Sequence, residues 1–189
     1  MSLELVVGGM FSGKTSEMIR RLKRFQVIGK KILVVNSAKD TRNPLSVLQT
    51  HDKTTFNCVK TDSLEAIQFG DVDVVAIDEA QFFTGLRPFV ERALGEDLHI
   101  LVAGLDGDFR QKTFGEILTL VPLADDVTKL KALCMVCMDG TPGPFSKRLT
   151  SDEHQELVGD TCYMATCRKH LTTKLRTDFS DILGLTSKA

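Results

Sequence analysis

The stretch Gly8-Gly9-Met10-Phe11-Ser12-Gly13-Lys14-Thr15 fits the spacing G-x-x-x-x-G-K-[ST] and follows the apolar run Leu3-Glu4-Leu5-Val6-Val7. Residues of these types in this order can hold a triphosphate. Glycines let the backbone wrap tightly enough for several N–H groups to converge on phosphate oxygens, and the helix that follows sets its positive N-terminus beneath them. In that chemistry Lys14 reaches the β- and γ-phosphates and the Thr15 hydroxyl ligates Mg²⁺. The plainer alternative is a Gly-rich turn before an amphipathic helix. The match at every constrained position, with a strand before and a helix after, favours the phosphate cradle.

A second group of chemistry-bearing residues is Asp78-Glu79, delivered at the end of the run Val72-Asp73-Val74-Val75-Ala76-Ile77. Ligands of open α/β sheets lie beyond the carboxyl ends of the strands, where these carboxylates would sit. Asp78 can hold Mg²⁺ opposite Thr15; its alternative role is to cap the next helix. Glu79 can take the proton of an acceptor hydroxyl as it attacks the γ-phosphate, or orient a water for hydrolysis. Spacing does not choose between kinase and ATPase.

A third group lies late in the chain. Cys134 and Cys137 form C-x-x-C, and Cys167 and His170 form C-x-x-H. Each pair has the short spacing with which one tight turn grips a Zn²⁺, and together they predict a structural tetrahedral site that staples the base of the loop 138–166. Cys162 reads as a free thiol and Cys58 as a small core residue. His51 and His154 have no partner pattern. Among the phenylalanines Phe82, Phe83, Phe109 and Phe114, one or two can line a base pocket while the rest belong to the core.

The elements that must position these residues follow from periodicity. A helix is predicted over 16–28 with Met18, Ile19, Leu22, Phe25 and Ile28 at helical spacing, ended by Gly29. Strands are predicted over 31–36, 54–60, 72–77, 99–103 and 127–133, helices over 63–69, 87–94 and 114–120 (the last ending before Pro122), and a loop over 37–52. This alternation implies right-handed crossovers and a mostly parallel sheet. The reading divides the chain into a P-loop nucleotide-binding α/β domain over 1–133, a zinc-binding segment over 134–170, and a tail over 171–189 that is frayed or partly helical.

A chain of 189 residues accommodates one such domain with a small appendage, and its formal net charge of −1 argues against nucleic acid as principal partner. The basic run Arg20-Arg21-Leu22-Lys23-Arg24 is the local exception, and it reads as the solvated face of the first helix. With no apolar run of membrane-spanning length and no leader pattern, the protein is expected to be soluble and intracellular, its five cysteines thiols or metal ligands. A P-loop ATPase module whose zinc element binds nucleic acid is the alternative to a kinase.

With these groups assembled, the chain resembles the cellular-type (type II) thymidine kinases. The matching stretches are 8–15, Ala38-Lys39-Asp40-Thr41-Arg42, Thr50-His51-Asp52, Ile77-Asp78-Glu79-Ala80-Gln81-Phe82-Phe83, 102–109, Phe145-Ser146-Lys147-Arg148-Leu149 and 163–170, together spanning about residues 3–170 in order. The resemblance implies a RecA-like P-loop domain with a zinc-binding lasso, and transfer of the ATP γ-phosphate to the 5′-hydroxyl of thymidine, or of deoxyuridine, with Glu79 as general base. It places Gly8, Gly9, Met10, Phe11, Ser12, Gly13, Lys14, Thr15, Asp40, Arg42, Asp78 and Gln81 around ATP and Mg²⁺. Met10, Phe82, Leu105, Phe109, Ser146 and Tyr163 fall around the nucleoside, and Cys134, Cys137, Cys167 and His170 around Zn²⁺. A cytoplasmic homotetramer, binding neither nucleic acid nor membrane, is implied as well.

The chain departs from the family pattern in places. Gly9 stands where Pro is usual, 139–144 is longer than usual, and 158–163 is shorter with the single Gly159. His170 replaces a fourth Cys, which suits tetrahedral Zn²⁺ equally well.

Overall fold

The computed structural model describes residues 1–41, 47–49 and 55–172. Arg42, the Thr50-His51-Asp52 stretch and the tail from 173 onward lie outside the described residues.

Strand β1 (Ser2–Gly8) sorts its side chains by alternation, sending Leu3, Leu5 and Val7 into one apolar cluster and Val6 into another on the opposite face. Helix α1 (Lys14–Val27) covers the second face with Met18, Ile19 and Leu22. The apolar stripe does not run to its expected end, because Ile28 is 68% exposed at the C-cap and Phe25 only partly buried. Gly29, at φ +75°, closes the helix: its N–H donates to Gln26 O and that of Lys30 to Phe25 O, so the chain turns away before a further apolar turn can reach the sheet.

Strand β2 (Ile32–Ser37) matches expectation, but the stretch after it does not form a simple loop. Strand β3 (Val47–Gln49) pairs antiparallel with β4 (Thr55–Asn57), Val47 opposite Asn57. The single strand predicted over 54–60 is instead β4 followed by β5 (Val59–Thr61), which belongs to the main sheet beside β2. Cys58, between them, is buried in the α1-side cluster, and burial raises its thiol pKa. No helix forms over 63–69. Leu64, Ile67 and Phe69 enter the other cluster one at a time, since only one pair among them has helical spacing.

Strand β6 (Val74–Asp78) is buried at all five positions, as a central parallel strand requires. Helix α2 (Leu86–Gly95) packs Leu86, Phe89, Val90 and Ala93 into the cluster around Leu3, Ile77 and Ile100, and β7 (His99–Gly104) follows. The helix predicted over 114–120 is a 3₁₀ turn, Ile117–Leu123, with Pro122 inside it. Gly115 explains the late start. It sits at φ +62° so close to Gln81 that a Cβ would stand 2.3 Å from the Gln81 carbonyl oxygen.

The last predicted strand also divides, into β8 (Asp126–Leu130) and the short β9 (Ala132–Leu133), which pairs antiparallel with β10 (Pro142–Gly143). A second ribbon joins β11 (Phe145–Arg148) antiparallel to β12 (Tyr163–Thr166), ahead of the one-turn helix α3 (Arg168–Leu171).

The main sheet has the order β5-β2-β6-β7-β1-β8 with every neighbour parallel. From β1 the chain passes over β7 and β6 before entering the sheet again at β2. The carboxyl ends of β1, β2, β6 and β7 therefore share one edge, and the α/β class with a parallel sheet is the one the alternation implied.

Candidate active site and metal centre

Along that edge, the loop leaving β1 is held open by backbone conformations few residue types accept. Phe11 has φ 62° and Gly13 φ 82°, and a Cβ on Gly8 would lie 2.5 Å from Leu130 O. The Gly9 carbonyl accepts hydrogen bonds from Ser12 Oγ and from the buried Lys14 Nζ, each at 2.8 Å. Gly9 also faces the segment 134–170, where a Cβ would stand 3.1 Å from both Pro144 O and Ser146 Oγ. Beside it Met10 N–H donates to Ser146 Oγ at 2.8 Å. The side-chain-free residue thus leaves room for the two parts to touch.

Two strands away, β6 delivers Asp78, 2% exposed, whose Oδ2 accepts from Thr15 Oγ1 at 2.9 Å. Glu79 follows in a left-handed conformation, φ 51° and ψ 40°, so its carboxylate leaves the strand in a different direction from that of Asp78. Non-Gly residues adopt this conformation at a cost and concentrate at functional positions. Gln81, 3% exposed, donates from Nε2 to Glu79 Oε2 at 2.6 Å and accepts at Oε1 from Leu105 N–H at 2.9 Å. It ties Glu79 to the end of β7. Gly104 permits the approach, since a Cβ there would lie 2.7 Å from Gln81 Oε1. Sequence reasoning placed Gln81 by motif alone; the signal for its contacts, Gly104 and Gly115, reads as loop punctuation until the fold is known.

Asp40, just beyond β2, is also buried; its Oδ2 accepts from Asn36 Nδ2 at 3.1 Å and its carbonyl from Lys60 Nζ at 2.6 Å. Asp40, Glu79 and Gln81 form the polar side of a cleft of about 400 Å³, counting its open mouth. Its apolar side is Met10, Phe82, Leu105, Phe114 and Tyr163, with Leu157, Val158 and Gly159 contributed by the loop between β11 and β12. Phe82 and Phe114 meet edge to face at 5.6 Å. Such a cleft, mostly apolar with a few convergent polar groups, has the chemical character of a small-molecule site. Phe83 is core. Phe109 stands apart from the lining, its ring centroid 3.9 Å from the Arg148 guanidinium. Ser146 is outside this lining as well, in a neighbouring hollow with Gly9, Asp106 and Lys129.

The metal-ligand pairs converge. Among the described residues, Cys134, Cys137, Cys167 and His170 are the one group of three or more His, Cys, Asp or Glu with metal-ligand geometry, all ligand atoms within 4.8 Å of one another. His170 Nδ1 is 3.7 Å from Cys134 Sγ, 3.3 Å from Cys137 Sγ and 3.4 Å from Cys167 Sγ, and Cys137 Sγ is 3.8 Å from Cys167 Sγ. Zn–S bonds of about 2.3 Å and Zn–N bonds of about 2.0–2.1 Å in a tetrahedron set S···S edges of about 3.8 Å and S···N edges of about 3.5 Å. The observed edges fit that ion.

The thiols of the knuckle are shifted in opposite directions. Burial opposes ionisation of Cys134, but main-chain N–H groups of Cys167, Cys137 and Val136 and the His170 ring outweigh it and bring the thiol down to about 6. Burial and the neighbouring Cys134 and Cys167 sulfurs push Cys137 up to about 11. Three sulfurs so close cannot all ionise unless a cation compensates them. Met135 N–H donates to Ala165 O at 2.9 Å and so fastens the first knuckle to β12. Cys162 lies outside the cluster as a free thiol.

Within the basic run, Arg20 and Arg21 both pair with Glu17, at 2.6 Å and 2.8 Å. Arg21 also reaches Glu4 and, at 3.3 Å, Asp126. These acidic partners already engage the two guanidinium groups.

Fold and site together define an α/β protein with a glycine-rich loop facing paired carboxylates and an appended Cys₃His knuckle. The family model described as Thymidine kinase matches residues 1–171, and the chain belongs to the thymidine kinase family, a family of transferases. Among curated relatives it is 42% identical to the thymidine kinase of Myxoma virus (strain Uriarra) over 170 residues, 88% of this chain and 94% of the relative. It is 40% identical to that of Vaccinia virus (strain Ankara) and 41% to that of Variola virus, each over 172 residues with the same coverage.

Proposed function

We propose that the protein transfers the γ-phosphate of ATP to the 5′-hydroxyl of thymidine, or of deoxyuridine, giving the nucleoside monophosphate. The observation that supports this most strongly is the contact of Thr15 with Asp78, with Glu79 turned from the same strand end to the wall of an apolar cleft. In this reading residues 8–15 are a P-loop whose N–H groups and Lys14 bind the phosphates, joined by Asp40 and Arg42. Thr15 and Asp78 would hold the Mg²⁺ that arrives with ATP and neutralises charge on the phosphates. Glu79 takes the proton of the 5′-hydroxyl, and Gln81 keeps its carboxylate in place.

Met10, Phe82, Leu105 and Tyr163 hold the nucleoside within the cleft, while Phe109 and Ser146 act from outside its lining, Phe109 against Arg148 and Ser146 on the Met10 main chain. Thymine needs no charged reader in such a site, because main-chain groups of the loop over the cleft can supply its hydrogen bonds. Closure of that loop would exclude water and favour transfer to the sugar over hydrolysis.

The knuckle residues Cys134, Cys137, Cys167 and His170 would hold a structural Zn²⁺ that fixes the ends of the loop above the cleft. The same proposal divides the chain into a nucleotide-binding domain over 1–133, a lasso over 134–170 and a tail over 171–189, and takes the active form to be a cytoplasmic homotetramer. Among the described residues, no helix is long and apolar enough to cross a membrane.

Incubation with ATP, Mg²⁺ and a nucleoside panel tests the reaction. Thymidine monophosphate is the expected product. Consumption of ATP without a phosphorylated nucleoside would overturn the reading and favour an ATPase.

A further inference from the structure

Residues 149–162 join β11 to β12 and contain, among regular elements, only the 3₁₀ turn Asp160–Cys162, yet Leu157, Val158 and Gly159 from this loop form one wall of the cleft. Such a segment needs an anchor to hold a wall in one place. Several of its ties to the α/β domain are exposed: Lys39 Nζ to Glu156 at 2.9 Å, Arg110 to Glu153 at 3.2 Å, and Gln155 Nε2 to Asp108 Oδ2 at 2.9 Å. Exposed pairs of this kind contribute little.

Arg148 is different. Its side chain is 2% exposed, and its guanidinium hydrogen-bonds to main-chain carbonyls, with the Asp152 carboxylate a longer ion-pair partner at 4.0 Å. Nη1 donates to Asp152 O at 3.1 Å and to His154 O; Nη2 donates to Gln155 O at 3.2 Å and to the Tyr163 hydroxyl. That hydroxyl in turn donates to Leu157 O at 3.0 Å. The cation lies 3.9 Å from the Phe109 ring centroid and 5.0 Å from that of Tyr163. One planar fork therefore gathers three carbonyls of the loop, the Tyr163 side chain of the cleft and the Phe109 ring below it.

The geometry points to Arg148 as a positioning residue for the nucleoside side of the cleft: it fixes the 152–157 backbone and Tyr163 so that the apolar wall stands ready before substrate arrives. This inference rests on the proposal that the cleft takes a nucleoside. The role requires the fork itself, since an ammonium group is a compact point charge that cannot span the same carbonyls while stacking on a ring. Pre-organisation of this kind is expressed in substrate affinity far more than in the chemical step.

The test uses Arg148→Lys and Tyr163→Phe in the full-length chain. Hydrogen exchange should lose at least about tenfold of its protection in 150–158 for Arg148→Lys, with β6 and β7 unchanged. Thymidine KM should rise about tenfold or more, ATP KM should stay within about twofold, and kcat at saturating thymidine within about threefold. A general loss of structure would instead lower protection everywhere and move both KM values.

Tyr163→Phe keeps the ring and deletes both links of the hydroxyl, the one it accepts from Arg148 Nη2 and the one it donates to Leu157 O, so it reports even if Arg148→Lys fails to fold. It should raise thymidine KM and loosen the backbone at 157. Wild-type protection and KM in a folded Arg148→Lys, or in Tyr163→Phe if only that variant folds, would overturn the inference. Failure of the wild type to phosphorylate any nucleoside would instead sink the functional reading, leaving the exchange data to decide on Arg148.

Discussion

Thr15 Oγ1 stands 2.9 Å from Asp78 Oδ2, joining the first turn of α1 to the end of a strand 63 residues further along the chain. A hydroxyl and a carboxylate so placed can share one divalent cation between them. Asp78→Asn keeps the shape and can still accept the Thr15 hydrogen bond, but it removes the charge. Turnover should fall about 100-fold or more, with a higher Mg²⁺ requirement. A Mg²⁺ titration of the initial rate checks this, and a wild-type titration curve in the variant would remove Asp78 from metal binding.

Glu79→Gln tests the base. The side chain keeps its length and its place beside Gln81, but an amide cannot accept the hydroxyl proton. The expected result is a kcat lower by roughly a hundredfold or more, with ATP affinity nearly unchanged. Single-turnover kinetics alongside ATP binding by calorimetry separate the two quantities. Unchanged turnover would leave Glu79 without the base role.

The knuckle predicts about one Zn²⁺ per chain by elemental analysis. Metal ligands must be deprotonated, and Cys137 without a cation sits near 11, so loading at neutral pH should release protons. Affinity should accordingly fall as pH is lowered, protons competing for the sulfurs and for His170. Cys137→Ser should lose the metal and much of the order of the loop above the cleft. Full activity in folded, metal-free protein would contradict the structural role.

Glu17 predicts a pH dependence away from the site. Its hydrogen bond from Arg20 leads, burial opposes it, and Arg21 adds to it, so the carboxyl lies at about 2. The folded value is below the usual glutamate value. Its contribution is therefore complete above the unfolded pKa and is lost as pH falls through the folded one. After solvent screening it amounts to about 1 kcal/mol. Glu17→Gln should lower stability by that amount at pH 7, and its denaturation midpoint should converge with that of the wild type as pH approaches 2.

What could be read from the sequence is local in origin. The spacing 8–15, the Asp78-Glu79 pair at a strand end and the short Cys and His pairs are each contained in a few residues, where chain geometry leaves few arrangements. The same holds for β1, α1, β6, α2 and β7, whose apolar periodicity is strong. Tertiary structure decided the rest. The stretch 54–60 is one strand by propensity, yet β4 and β5 answer to different partners. The helix expected over 114–120 gives way because Gly115 lies against Gln81, a contact 34 residues back along the chain that no local window contains.

The site divides in the same way. Its residue types were legible, but the sheet order β6-β7-β1 is what carries Asp78 to Thr15 and lets Gln81 bind Glu79 to Leu105. Arg148 had no signal beyond its motif, because its partners are main-chain carbonyls, which every sequence has and only a folded loop can present together. Local spacing specifies which groups the chain owns. Their meeting depends on the sum of many weak packing contacts across the sheet, and that sum exists only in the folded whole.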